Sequence, residues 1–440
     1  MKKFLKIILP SLLAFILIFS WSATVFADEV SDQVWPSAPE VDTRSVFITG
    51  IDNDLVFLEK EADTKRYPAS TTKILTCLLA LENCSLDETV VFSERALDLE
   101  EAATTINSEV GEEMSLKDCL YGLMLASGND CAMAIAEHVG GSIEGFADMM
   151  NEKAMELGCT NSHFMNPSGL FDENHYTTAR DMSLIAKAAF KNSTFIELIS
   201  TLTYSMGPTN KHDKRKFSNW NLCIDPESEA YAPEVIGGKT GYLDESGRCL
   251  VTFAEKNNLP IVIVQFWGDY TGIFTEAKTL VDFIYRNFGM RNISLEERRF
   301  SFVSPQAKLT LDPSARILTL NNMSLETFSS NIRLASDMSN EEKALALNGN
   351  KNGENALATN NNGKELFAVI NYSYAGHDLG SINVYKDDEL AIRKASFINV
   401  YYISPLYVVI FVLIIIILLI FLSTPKKKIR RAPVPVQKRK

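Results

Sequence analysis

Ser70 and Lys73 stand three residues apart in "YPASTTKILTCLLALE" (67–82), a hydroxyl and an amine on one face of a predicted helix. Serine is a poor nucleophile at its own pKa and needs a base within hydrogen-bond reach. Lysine can be that base when neutral, and both a dry setting and a second cation lower its pKa. Ile74, Leu75, Leu78, Leu79 and Leu81 supply apolar bulk around Lys73. A lysine is almost never fully buried unless it is paired or used. The plain alternative is a capping serine followed by a lysine that snorkels to water. The five histidines offer no triad-like context, and His163 and His175 sit in polar, loop-like stretches.

Taken alone, S-x-x-K is weak: about one or two matches are expected in a chain of this length, and Ser423–Lys426 is another. Two more segments change the odds. "LMLASGNDCAMAIAEHVGG" sets Ser127-Gly128-Asn129 between two predicted helices, a hydroxyl and an amide on a short turn. "VIGGKTGYLDESGRCLV" sets Lys239-Thr240-Gly241 at the end of a strand-like run. S-x-N recurs at Ser329–Asn331, but K-T-G occurs once, and the order and wide spacing of all three are hard to obtain by chance.

The elements that must carry these residues form a mixed pattern. Residues 45–59 read as two short strands joined by an Asp/Asn turn. Helical periodicity follows at 70–83, 115–125, 129–139, 142–157 and 180–191, and strand patterns return from 233 in "EVIGGKTGY", "RCLVTFAEK" and "LPIVIVQFWG". An amphipathic helix is expected over 273–288. Strands flanking a helical block predict one α/β domain over 28–290 whose sheet joins its first and last segments. Beyond 291, short alternating runs predict a small β-rich domain to about residue 400, interrupted by an Asn/Gly-rich loop at 348–364.

The ends address the chain to a membrane. Residues 1–27 have the basic start, apolar stretch and small-x-small site of a signal peptide. Leu406 to Leu422 carries no charge, which predicts a transmembrane helix over 405–423. The basic tail 424–440 marks its cytoplasmic side. Removing the eleven basic residues of these two ends leaves 32 Lys and Arg against 55 Asp and Glu, a charge near −23, which argues against a nucleic-acid partner. The seven cysteines have no C-x-x-C spacing and read as small buried apolar residues rather than metal ligands. "DENH" (172–175) is not read as a metal site either, so no metal and no cofactor are expected.

The three motifs, with "HFMNPSGLFDENHYTTARDM" (163–182), resemble those of the serine D-alanyl-D-alanine carboxypeptidases, the low-molecular-mass penicillin-binding proteins. The resemblance covers roughly residues 40–290. It implies a β-lactamase/DD-peptidase-like catalytic domain with an antiparallel sheet and a helical block, followed by the β domain and the membrane anchor. It also implies that Ser70 attacks the carbonyl between two D-alanines of a peptidoglycan stem, with Lys73 taking its proton. Ser127 would pass a proton to the leaving amine, and Asn129 would hold the substrate or the lysine. Lys239 and Thr240 would meet the terminal carboxylate. Gly241 would allow close approach, and the backbone N–H groups of Ser70 and Tyr242 would form the oxyanion hole. β-Lactam antibiotics would acylate the same serine. His175, Arg180 and Asp181 match the family pattern and are read as scaffold. The charges of Asp244, Glu245 and Arg248, just after K-T-G, depart from it. The expected location is the outer face of the cell membrane of a Gram-positive-type bacterium. A β-lactamase is disfavoured because no E-x-x-L-N stretch lies between the second and third motifs. A DD-endopeptidase would use the same residues, whereas a non-catalytic peptidoglycan-binding scaffold would not need Ser70 and Lys73 intact.

Overall fold

The computed structural model describes residues 34–53, 55–293, 309–348 and 365–386. The predicted signal peptide, most of the Asn/Gly-rich loop, the predicted span and the basic tail lie outside these residues. Among the described residues no helix is long and apolar enough to cross a membrane. Two units divide the chain, Met1–Glu297 with Thr310–Tyr385 and Arg298–Leu309 with Lys386–Lys440. The described elements belong to the first, apart from the end residues Leu309 and Lys386.

A five-stranded antiparallel sheet organises the molecule. Its order is Val56–Lys60, Ser45–Gly50, Leu259–Gly268, Gly247–Lys256, Val235–Leu243. The first segment of the domain therefore pairs with the last, Val46 opposite Gln265 and Ile48 opposite Ile263. Leu250–Ala254 and Ile261–Val264 are buried at successive positions, hence on both faces, which is why these strands read as continuous apolar runs rather than alternations. The helix Gly272–Asn287 packs on Gly247–Lys256 and Leu259–Gly268, and Ala179–Phe190 packs on Ser45–Gly50 and Leu259–Gly268.

The helical block centres on Lys73–Asn83, which touches Leu116–Met124, Asn129–Gly140, Ile143–Glu156, Ala179–Phe190 and Ser193–Ser200. Every residue from Lys73 to Ala80 is buried, so this helix is surrounded on all sides, as its apolar composition requires. Side chains at helix starts accept the otherwise orphaned N–H groups. Ser115 accepts from Asp118, Ser142 from Gly145, Thr178 from Asp181, and Asn192 from Thr194 and Phe195.

Three features differ from the sequence expectation. The helix predicted from residue 70 opens as a 3-10 turn, Ala69–Thr72, and becomes α-helical only at Lys73. The helix Ser193–Ser200 and the pairings Thr203–Met206 with Arg215–Ser218 and Thr89–Val91 with Glu113–Ser115 were not expected, because such short elements carry too few periods to register. Near the C-terminus, Phe288–Asn292 pairs with Arg316–Leu320. A four-stranded sheet follows in the order Leu309–Leu311, His377–Lys386, Leu366–Tyr374, Ser329–Leu334.

Phe253 locks the sheet to the helical block. Its buried ring stacks on Phe190 at 5.4 Å and meets Phe195 edge-on at 5.6 Å. Phe253→Ala should lower the unfolding free energy by about 3–5 kcal/mol. Urea titration checks this as a lower midpoint at unchanged slope.

Candidate active site

The backbone before Ser70 is strained. Ala69 adopts φ +47°, a conformation unfavourable for a residue with a Cβ. The Thr71 hydroxyl ties the turn that follows by donating to the Pro68 carbonyl at 2.7 Å. Two glycines let other segments press against this turn. A Cβ on Gly169, itself at φ +80°, would lie 1.9 Å from the Ala69 oxygen. A Cβ on Gly241 would lie 3.0 Å from the Ser70 nitrogen, so the strand end carrying K-T-G runs alongside the Ser70 backbone.

Lys73 is wholly buried. Its Nζ lies 2.9 Å from Ser70 Oγ, 2.7 Å from Asn129 Oδ1 and 2.7 Å from the Ser168 carbonyl. All three partners are neutral oxygens. Burial is the main force holding the amine well below the usual lysine range, and the charge of Lys239 adds to it. The Asp130 carboxylate pulls the other way but is occupied by the backbone N–H groups of Ile106, Ser108 and Cys131. A neutral Lys73 keeps two donors for Asn129 and Ser168 and turns its lone pair toward the Ser70 hydroxyl.

On the other wall, Ser127 sits at φ +58° in the turn before Asn129–Gly140 and is buried. Its Oγ accepts from Lys239 Nζ at 3.1 Å, and the same ammonium donates to the Thr240 carbonyl at 2.9 Å. Burial, then the charge of Arg248, lowers the Lys239 pKa to about 7. Thr240 is nearly buried, while Tyr242 is exposed and its hydroxyl donates to Asp244 at 2.8 Å. Arg248 is half-buried at this rim. Its guanidinium lies 4.0 Å over the Tyr270 ring, and its Nε donates to the Tyr270 carbonyl at 3.1 Å. All eight residues singled out in the sequence thus line one locus, with Ser70, Lys73 and Asn129 in one hydrogen-bonded set and Ser127 with Lys239 in another.

Sequence reasoning missed the part played by Ser168. Asn166 folds its loop by accepting from the N–H groups of Ser168 at 3.2 Å and Gly169 at 2.8 Å, and Thr76 donates to the Pro167 carbonyl at 2.6 Å. The dense turn residues of "NPSG" mark a tight loop, but nothing in them says that its carbonyl faces Lys73. His175 braces the same region. Met165 N–H donates to its Nδ1 at 3.2 Å, so Nε2 carries the proton and donates to Thr72 Oγ1 at 2.9 Å. Arg180 clasps Asp63 through Nε at 2.8 Å and Nη2 at 3.0 Å, and Asp181 accepts from Asn161 N–H and the Ser162 hydroxyl. None of these three reaches Ser70 or Lys73.

A serine hydroxyl, a buried lysine amine 2.9 Å from it and a second lysine on a sheet edge, set between an antiparallel sheet and a helical block, define a DD-peptidase/β-lactamase-like serine hydrolase. The sequence profile of the D-alanyl-D-alanine carboxypeptidases, peptidase S11, matches residues 32–269, and the chain belongs to that family. It is 35% identical over 268 residues to the D-alanyl-D-alanine carboxypeptidase DacF of Bacillus subtilis, covering 60% of this chain and 66% of that protein. The chain thus spans just under two thirds of that relative's length. The crystal structure of the Streptomyces K15 DD-transpeptidase aligns with a TM-score of 0.52 at 28% identity, over 56% of this chain and 98% of that one. A D-alanyl-D-alanine carboxypeptidase from Mycobacterium tuberculosis H37Rv aligns with a TM-score of 0.52 at 27% identity, over 57% and 94%.

Burial lowers the His175 pKa to about 3. The unfolded chain takes up this proton near pH 6.5 and the folded chain does not, so stability falls as pH drops from about 6.5 toward 3. The slope from this group is at most about 1.4 kcal/mol per pH unit. Urea titrations at pH 7, 5.5 and 4.5 should show a shallower acid loss in His175→Gln than in the wild type, despite a lower starting stability.

Proposed function

We propose that the protein is a penicillin-sensitive D-alanyl-D-alanine carboxypeptidase that removes the terminal D-alanine from peptidoglycan stems. The observation that carries this reading is the wholly buried Lys73 amine, 2.9 Å from Ser70 Oγ and paired only with neutral oxygens. Ser70 Oγ bonds to the carbonyl carbon between the two D-alanines while its proton passes to Lys73 Nζ. The oxyanion would be met by the backbone N–H groups of Ser70 and Tyr242, worth roughly 3–4 kcal/mol per donor in comparable acyl-transfer sites. As the tetrahedral centre collapses, the C–N bond breaks and the leaving amine takes the proton that Lys73 received, relayed by Ser127, which Lys239 orients at 3.1 Å. Water then attacks the acyl-enzyme, gives a proton to the same base and returns the hydroxyl to Ser70. The charge of Lys239 and the hydroxyl of Thr240 suit the free carboxylate of the departing D-alanine. A β-lactam would acylate Ser70 by the same attack.

The predicted signal peptide and the predicted C-terminal span put this reaction outside the membrane, with the basic tail in the cytoplasm. The acidic exported part suits a cationic or locally neutral target better than an anionic polymer.

Labelling of the purified full chain with a fluorescent penicillin tests the assignment. Ser70→Ala should abolish labelling, and Lys73→Ala should slow it by about 10²–10⁴-fold, the usual cost of losing a general base. Equal labelling of Ser70→Ala and wild type would reject the nucleophile. D-Alanine should be released from a diacyl-D-Ala-D-Ala peptide faster than a cross-linked stem dimer is cut; the reverse order would make the protein an endopeptidase. The pH profile carries the electrostatics. The rate should rise as Lys73 loses its proton, and kcat/KM should fall above about pH 7 as Lys239 loses its own. Arg248→Gln should move that alkaline limb to higher pH by removing the neighbouring charge that depresses Lys239.

A further inference from the structure

Cys84, Glu88 and His138 converge at the far end of the helical block. Cys84 caps the C-terminus of Lys73–Asn83, its N–H donating to the Ala80 carbonyl at 3.1 Å. Glu88 closes the loop that follows and accepts from the Ser85 N–H at 2.6 Å through one oxygen. Its other oxygen lies 2.9 Å from Nε2 of His138, in the last turn of Asn129–Gly140. One sulfur, one carboxylate oxygen and one imidazole nitrogen all lie within 4.8 Å of one another. The other six cysteines are buried, and Cys84 alone is part-exposed.

We propose that Cys84, Glu88 and His138 bind a zinc-class divalent cation, at a site separate from the Ser70 centre. Thiolate, imidazole and carboxylate are the donors that zinc takes, at about 2.3, 2.0–2.1 and 2.0–2.2 Å. Tetrahedral ligands at those lengths stand about 3.3–3.6 Å apart, so the three side chains close on an ion by shifts of about an ångström. The charges also balance, since one thiolate, one carboxylate and one neutral imidazole exactly offset a divalent ion. Binding displaces the thiol proton and moves the imidazole proton from Nε2 to Nδ1. The side chains of His138 and Glu88 are 23% and 41% exposed, which gives the ion an entry path and leaves its fourth position to water.

The location defines the role. Lys73 and Cys84 lie at opposite ends of one helix, and Asn129 and His138 near opposite ends of another, each pair about 14–16 Å apart. A cation bridging the far ends would staple together the two helices whose near ends present Lys73 and Asn129. The ion is thus a clamp on the scaffold and takes no part in the chemistry at Ser70.

The test is titration of the reduced full chain with Co²⁺ and Zn²⁺, neither metal being needed for any other assay. One equivalent of Co²⁺ should give a thiolate-to-cobalt charge-transfer band, and Cys84→Ser should abolish it while the six buried cysteines remain. Glu88→Gln and His138→Gln should each weaken zinc at least about tenfold, since even partners outside the first coordination sphere are worth that much. Zinc should raise the melting temperature of the wild type and leave that of Cys84→Ser unchanged, while metal-free melts of all variants show whether they fold. Absence of saturable Co²⁺ uptake by the wild type overturns the proposal. So does a band that survives Cys84→Ser, or zinc affinity unchanged in both Glu88→Gln and His138→Gln.

Discussion

The structure depends on keeping one amine out of water. A lysine that is buried without a carboxylate partner destabilises the fold when charged and tolerates burial when neutral. Lys73 meets that constraint with three neutral oxygens drawn from three segments, Ser70 in the 3-10 turn that leads into its helix, Asn129 at the start of Asn129–Gly140, and the Ser168 carbonyl from a loop. Each partner satisfies a hydrogen bond without supplying the negative charge that would restore the proton. Lys239, buried nearby, makes protonation of Lys73 less favourable still.

Holding these partners in place requires unfavourable backbone. Ala69 and Ser127 both have positive φ although neither is glycine, and both stand beside the reacting groups. Such conformations cost of order 1–3 kcal/mol each and persist only where the surroundings over-determine them. Here the surroundings are the Gly169 loop against the Ala69 carbonyl, the Gly241 strand against the Ser70 nitrogen, and Asp130 pinning the loop at Ile106 and Ser108. A side chain on Gly169 would collide with the Ala69 carbonyl, and one on Gly241 would crowd the Ser70 nitrogen. The sheet edge and the helical block each hold one side of the site.

The two lysines are alike in burial and in the kind of company they keep. Lys73 bonds to a hydroxyl, an amide and a carbonyl oxygen and feels the charge of Lys239, while Lys239 bonds to a hydroxyl and a carbonyl oxygen and feels the charge of Arg248. In the proposed mechanism this one residue type serves as base at the Ser70 hydroxyl and as carboxylate anchor on the sheet edge.

Much of the architecture could be read from the sequence because its signals are local. Apolar periodicity located the Lys73, Asn129 and Ala179 helices, and uninterrupted apolar runs located the two strands Gly247–Lys256 and Leu259–Gly268. The spacing of Ser70 and Lys73 placed both on one turn, and the unusual lysine in an apolar helix pointed to a dry site. What the sequence could not supply was company across long separations. Ser168 reaches Lys73 from 95 residues away and Lys239 reaches Ser127 from 112. The residues between carry no code for the distance. The same holds for His138 and the pair Cys84 and Glu88, which are brought together only when the helix of His138 packs beside the helix end and loop that carry the other two. Local patterns decide which elements form, but only packing decides which side chains share a proton.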